Sequence, residues 1–338
     1  MSPRTRRLLN EPARLVEEML EGYVGANRDV IALNDGLVVR ATEKPQGHVG
    51  LVVANGSGHE PAMVGWVGHG LLDVNVPGAL FSAPGPQKIV AGIREADRGA
   101  GVLLLVSSHA GDIMNSSAAI SQAETQGLNA AMVVLYDDVA SAPRERLEDR
   151  RGGAGLFFVW KIVGALAERG ASLEDCAEMA MRVRDRTRSL SAAIGSVTHP
   201  ISGQSLGAAS ESELLIGGGV HGEPGLAPAD DVSADELAEM LVARLVDDAG
   251  VADGAQVALL VNNSGSLTLM ELSILHRGAE RALRERGVEV IRSWIGSYAT
   301  TLDQAGFALA ISTFDAELVE LYDAPAHGAG FICVGARS

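Results

Sequence analysis

Short apolar runs alternate along the chain with longer segments in which apolar residues recur every three or four positions. Leu51–Ala54, Val102–Val106 and Ala131–Tyr136 have strand length, and each precedes a turn and a stretch of helical pattern. Leu156–Arg169 and Leu173–Arg188 read as two successive helices, and Ser172 with Asp175 three positions on supplies a capping-box start for the second. After Arg188 the chain changes character, with Ser189–Pro200 small, polar and apolar by turns. A boundary is expected there, between an N-terminal domain of residues 1–188 and a C-terminal domain of residues 189–338. The second half repeats the theme. Glu213–Val220 leads into a glycine-rich loop, Ser233 with Glu236 opens a helix running to about Asp248, and Val257–Val261 is a strand of buried type. Leu267–Arg286 predicts a long helix stopped by Gly287, and Val288–Trp294, Phe307–Thr313 and Phe331–Val334 complete the strands. This alternation predicts an α/β fold: two α/β domains with mixed sheets flanked by helices.

Composition narrows the picture. A chain of 338 residues with 47% apolar content has material for two cores of ordinary size. Its 40 glycines point to tight turns and close backbone approaches rather than disorder, because apolar runs recur throughout. A formal charge of −16 argues against nucleic acid as a partner, which needs a clustered basic face. Cys176 and Cys333 stand far apart without a CxxC spacing, so a reducing compartment is expected. Arg4, Arg6 and Arg7 make a basic start, but Asn10 and Glu11 interrupt the apolar residues a signal peptide needs. The longest apolar runs are strand-sized. A cytoplasmic protein without a membrane partner is expected.

Three loops carry candidate chemistry, each where a strand ends, which is where α/β folds place ligands. Asn55-Gly56-Ser57-Gly58-His59-Glu60-Pro61 follows a strand, and its small residues permit close approach to a polar ligand. It lacks the Lys-Ser/Thr of a Walker A loop, and Asn55 stands where a nucleophile elbow needs glycine, which disfavours a hydrolase using Ser57. Ser107-Ser108-His109-Ala110-Gly111-Asp112 lies between a strand and a helix. Asp112 there is either a charge on the helix dipole or, with His59 across a cleft, half of a tuned general base. Gly217-Gly218-Gly219-Val220-His221-Gly222-Glu223 surrounds one imidazole with glycines, which leaves it accessible. His59, His109 and His221 lack the local spacing of metal ligands, so no metal site is expected.

These loops resemble the K subunit of the dihydroxyacetone kinase family. Asn55–Pro61 is similar to that family's Gly-Gly-Gly-Ser-Gly-His-Glu-Pro loop, Gly111-Asp112 to its Thr-Gly-Asp loop, and Val220–Gly225 to its Gly-Ile-His-Gly-Glu-Pro-Gly. Phe81-Ser82-Ala83-Pro84, Val261-Asn262-Asn263, Gly296–Leu302 and Asp323-Ala324-Pro325 extend the likeness over nearly the whole chain. The resemblance implies that His221 captures a ketone as a hemiaminal, which requires a neutral ring. It implies that His59 and Asp112 assist deprotonation of the terminal hydroxyl, and that Gly56, Ser57 and Gly58 line the substrate. Ser107-Ser108-His109 stand where many members carry Lys-Asn-Tyr. Loss of that cation and of two long side chains favours a ketose longer than dihydroxyacetone, such as erythrulose, with Ser107 and His109 beside it.

By the same resemblance this chain holds no cofactor itself. ATP and magnesium sit on a separate L-type subunit, or a phosphotransferase-system relay serves as donor, and the K subunit is a homodimer. The rival from another class is a ketose-binding regulatory module, a sensor or coactivator that never transfers phosphate. Retention of His59, Asp112 and His221 together favours the enzyme, because a sensor needs the trap but not the base.

Overall fold

The computed structural model describes residues 8–194, 197–206, 214–219, 223, 225–229 and 232–335. The first half begins with α1 (Leu15–Ala26) and builds a six-stranded sheet from β1 (Ile31–Asn34), β2 (Leu37–Arg40), β3 (Gly50–Ser57), β5 (Val74–Leu80), β6 (Val102–Ser107) and β7 (Ala130–Leu135). The short β4 (Gly68–His69) lies outside it. The strand order is β1-β2-β5-β3-β6-β7, and β5, β3, β6 and β7 are parallel. Every residue of β6 is buried, as expected of a parallel strand covered on both faces, which is why it reads as an unbroken apolar run. Strand β5 and the antiparallel β1–β2 hairpin add three strands to those expected. The hairpin's two-residue turn is Asp35-Gly36, with φ of 46° and 75°, the left-handed geometry that matches strand twist in tight hairpins.

Helices α2 (Pro86–Ala96) and α3 (Ala110–Thr125) follow β5 and β6, and α4 (Leu156–Glu168) and α5 (Leu173–Asp185) follow β7. The Ser172–Asp175 capping box is present at the start of α5. That helix ends at Asp185, short of the expected Arg188, because Thr187 opens β8 (Thr187–Ile194). A strand in this place differs from the mixed polar stretch expected after Arg188. Its serines are not loop residues: Ser189 and Ser191 line a cavity while Leu190 and Ala192 enter the core.

The second half adds β9 (Val197–Thr198), β10 (Ser205–Leu206), β11 (Leu214–Ile216), β12 (Ala227–Ala229), α6 (Ala234–Ala249), β13 (Gln256–Asn263), α7 (Leu269–Glu285), β14 (Glu289–Gly296) and β15 (Ala305–Thr313). Its six-stranded sheet has the order β12-β11-β8-β15-β13-β14 and only β13–β14 is parallel. The Ser233–Glu236 box opens α6, and Gly287, at φ 71°, follows the end of α7 as the sequence predicts. The chain closes with α8 (Ala316–Asp323), β16 (Ala326–Gly328) and β17 (Ile332–Cys333).

Two features join the halves. Helix α4 is buried along almost all its length, and one core cluster includes its Phe157 and Phe158 with Leu51 and Leu103 of the first sheet and Leu260 and Ala310 of the second. The C-terminal segment also returns to the first half, where β16 pairs with β4. Trp66 is stacked between Phe157 and Phe331, with both ring centroids at 4.7 Å. No helix among the described residues is long and apolar enough to cross a membrane.

Candidate active site

The carboxyl ends of β3 and β6 open into a cavity of about 320 Å³, closed on the far side by β8, β13 and the loop after β14. Glycine lets the β3 loop lie against its neighbour. A Cβ on Gly56 would stand 2.6 Å from the Ser82 backbone nitrogen, and Gly58, at φ 105°, would meet Leu80 and Phe81. His59 then projects beside Phe81, at a centroid distance of 5.2 Å, and is only 6% exposed. Its Nδ1 lies 2.8 Å from the carbonyl oxygen of Thr300. A carbonyl can only accept, so Nδ1 carries the proton, and a neutral ring in this tautomer has at Nε2 the lone pair a general base requires. The opposing loop is tied on by further bonds: Thr300 N–H donates to the His59 carbonyl at 3.0 Å, and the Thr300 hydroxyl to the Glu60 carbonyl at 2.9 Å.

Asp112 lies in the first turn of α3, buried at the cavity wall. Asn55 donates from Nδ2 to its Oδ2 at 3.3 Å, and the Nδ1 of His109 is 3.9 Å from the same oxygen. Among the described residues the buried Oδ1 of Asn55 has no hydrogen-bond partner, an acceptor at the cavity wall that a ligand hydroxyl could satisfy. His109 also contacts the Ser107 hydroxyl at 3.0 Å through Nδ1.

The structure thus brings Gly56, His59, Ser107, His109 and Asp112 to one cavity. Ser57 and Gly58 are not on its wall: the Ser57 hydroxyl donates to the Gly78 carbonyl at 2.8 Å, so it serves the fold. His221 lies outside the described residues, but Gly218, Gly219 and Glu223 on either side of it line the cavity. The wall also includes Asn55 of the first loop, and Asp138, Arg151, Ser189 and Ser191, which the sequence reading did not single out as site residues. The signal available was Asp137-Asp138 directly after a strand, answered by Arg150-Arg151-Gly152-Gly153 before the next helix. Buried Asp137 accepts from the Gly153 and Gly155 backbone N–H groups, and burial pushes its carboxyl up to about 6 despite those bonds. Among the described residues no cluster of His, Cys, Asp and Glu is arranged to hold a metal ion.

The Dak1 domain family matches residues 21–330. An L-erythrulose kinase of Pectobacterium atrosepticum is 36% identical over 328 residues, 96% of this chain and 56% of that protein. The dihydroxyacetone-binding subunit DhaK of the PTS-dependent dihydroxyacetone kinase 1 of Listeria innocua is 36% identical over 313 residues, 92% of this chain and 95% of that protein. The chain therefore spans little more than half of the first relative and nearly all of the second. Among solved structures, the dihydroxyacetone kinase operon co-activator DhaQ superposes with a TM-score of 0.87 at 30% identity, covering 93% of this chain and 97% of that one. The native dihydroxyacetone kinase of C. freundii superposes with a TM-score of 0.87 at 27% identity, covering 99% of this chain and 62% of that one.

Proposed function

Because this chain belongs to the Dak1 family, we propose that it is the substrate-binding subunit of a two-component ketose kinase, acting on dihydroxyacetone or a related short ketose such as erythrulose. The observation that carries the reading is the convergence of His59 and Asp112, from loops after two different strands, on the cavity that Gly218, Gly219 and Glu223 also border. In this reading a nitrogen of the neutral His221 ring attacks the ketone carbon. A C–N bond forms, the carbonyl π pair moves to oxygen, and that oxygen gains a proton as the ring gives one up. The product is a neutral hemiaminal. Glycerol, which has no carbonyl, is refused.

The captured ketose keeps its terminal hydroxyl for transfer. His59, with its lone pair on Nε2, takes the hydroxyl proton with Asp112 beside the reacting end. The oxygen then bonds to phosphorus while the bond to the leaving nucleoside diphosphate breaks, on ATP and magnesium held by a separate L-type subunit. A phosphotransferase-system relay that recharges a bound nucleotide is the other source of phosphate. In this reading the chain works as a cytoplasmic homodimer.

Space at the reacting end favours a four-carbon ketose. Ser107 stands on the cavity wall, whereas Ser108 does not, so one short side chain rather than two provides the extra room. Relatives named as erythrulose kinases support this choice. The test is turnover with an L-type partner on dihydroxyacetone and both erythrulose enantiomers, together with crystals soaked in each ketose. Continuous density from His221 to the carbonyl carbon is expected, as is loss of ketose binding in His221→Ala. A specificity constant highest for dihydroxyacetone by a wide margin would reject the longer substrate. The likeness to the DhaQ co-activator favours a second reading, a ketose sensor that captures without transfer. Capture without turnover, with every L-type partner and donor tried, would select it.

A further inference from the structure

We propose that Arg151 is a positioning residue: anchored by Asp138, its guanidinium fixes the glycine strand that leads into the ketose-capturing loop. This rests on the capture reading above, and goes beyond it by assigning what holds the loop.

The anchor is built from the connection between β7 and α4. Asp137 N–H and Asp138 N–H both donate to the Arg151 carbonyl at 3.1 Å, and Arg151 N–H donates to the Ser141 hydroxyl at 2.9 Å. These bonds to the arginine's own backbone determine where its side chain starts. Its side chain crosses to the second half. Nε and Nη2 reach Asp138 Oδ2 at 3.0 and 2.8 Å, and Nη2 also donates to the Gly217 carbonyl at 3.1 Å. Both side chains are largely buried, so the pair is poorly screened and the Gly217 carbonyl has exchanged water for a cation. Burial works against ionisation of Asp138, and the Arg151 charge opposes it.

The glycine strand is held at neighbouring points. Gly217 N–H donates to the Ser191 carbonyl at 2.7 Å, and the Ser191 hydroxyl donates to the Gly218 carbonyl at 2.7 Å. Gly219 N–H donates to the Glu223 carbonyl at 3.1 Å, and His221 is the middle one of the three residues between them. A Cβ on Gly219 would lie 2.5 Å from Arg151 Nη1 and 2.2 Å from Glu223 Oε2. The guanidinium therefore lies close against this backbone. A lysine could not reproduce the arrangement, because its point charge cannot present two nitrogens to Asp138 and still reach Gly217.

Capture by an imidazole needs the ring held at the carbonyl carbon, and a loop free to wander loses that alignment. The test uses the full chain as Arg151→Met, Arg151→Lys and, in case the first fails to fold, Asp138→Asn. Hydrogen exchange is read in residues 214–226 and, as control, in α4. Exchange in 214–226 is expected to rise about tenfold or more in Arg151→Met, less in Arg151→Lys, with α4 unchanged. Ketose affinity should fall by about tenfold while turnover of bound ketose changes little. Unchanged exchange in 214–226 in both Arg151→Met and Asp138→Asn overturns the proposal, whatever happens to affinity. Faster exchange there in a protein whose wild type binds no ketose supports the anchor and rejects the capture reading instead.

Discussion

The Nδ1 of His59 and the carbonyl oxygen of Thr300 lie 2.8 Å apart, although 241 positions separate them in the chain. This bond selects the tautomer and aims the ring, and it draws on a loop of the second half to prepare a base carried by the first. His59→Asn can keep a donor near the Nδ1 position but has nothing at Nε2. We expect it to fold and to bind ketose within a few-fold of wild type, with turnover down about 10²–10⁴-fold. Steady-state kinetics with an L-type partner, alongside ketose titration, separates the two effects. Undiminished turnover would remove His59 from the chemistry.

Asn55 and Asp112 give a second expectation. Asn55 Nδ2 donates to Asp112 Oδ2 at 3.3 Å, so Asn55→Asp would set two carboxylates against each other inside the cavity. Like charges at that distance cannot both ionise easily, and the pair then holds a proton to higher pH. The acid limb of the rate profile should move upward by about one pH unit or more. Profiles of kcat/KM measured from pH 5 to 9 decide it, and superimposable curves would show that Asp112 takes no part in transfer.

Glycines 56 and 111 should respond differently to alanine. At Gly56 the new Cβ meets the Ser82 nitrogen at 2.6 Å and the Phe81 carbonyl carbon at 3.0 Å, backbone atoms that cannot swing aside. Gly56→Ala should cost about 1–3 kcal/mol of stability and weaken ketose binding. At Gly111 the nearest atom is the Ala83 Cβ at 3.5 Å, an ordinary contact, and the site is helical. Gly111→Ala should leave stability unchanged or raise it by up to about 1 kcal/mol. Urea denaturation of both variants makes the comparison.

Asp137 predicts a pH dependence whose sign follows from burial, which pushes its carboxyl up to about 6 in the folded chain. In the unfolded chain an aspartate titrates near ~3.9. Below that value both states hold the proton, and between there and about 6 the folded state alone does. The stability this group contributes is therefore fully present in acid and is lost as pH rises through about 6. Relative to Asp137→Asn, which has no such proton, the wild-type urea midpoint should fall between pH 5 and pH 7. Parallel midpoints would mean that Asp137 titrates at an ordinary value.

Local pattern alone determined a large part of this protein. The unbroken apolar run of β6 announced a strand, and the Ser172–Asp175 and Ser233–Glu236 pairs placed two helix starts, because these signals lie within a few residues of each other. The same holds for the loops of His59 and Asp112, each recognisable as a strand end carrying a polar side chain. What each loop faces was beyond such patterns. Ser57 reads as a substrate contact until Gly78, 21 positions on, takes its hydroxyl, and Ser189 and Ser191 read as part of a mixed polar stretch until β15 pairs with β8. The bond from Arg151 to Gly217, 66 positions away, exists only in the folded chain. Periodicity and capping reflect forces between near neighbours in the chain, whereas the cavity is made where the two halves meet, and only the packing of distant faces decides which polar groups find partners and which remain for a ligand.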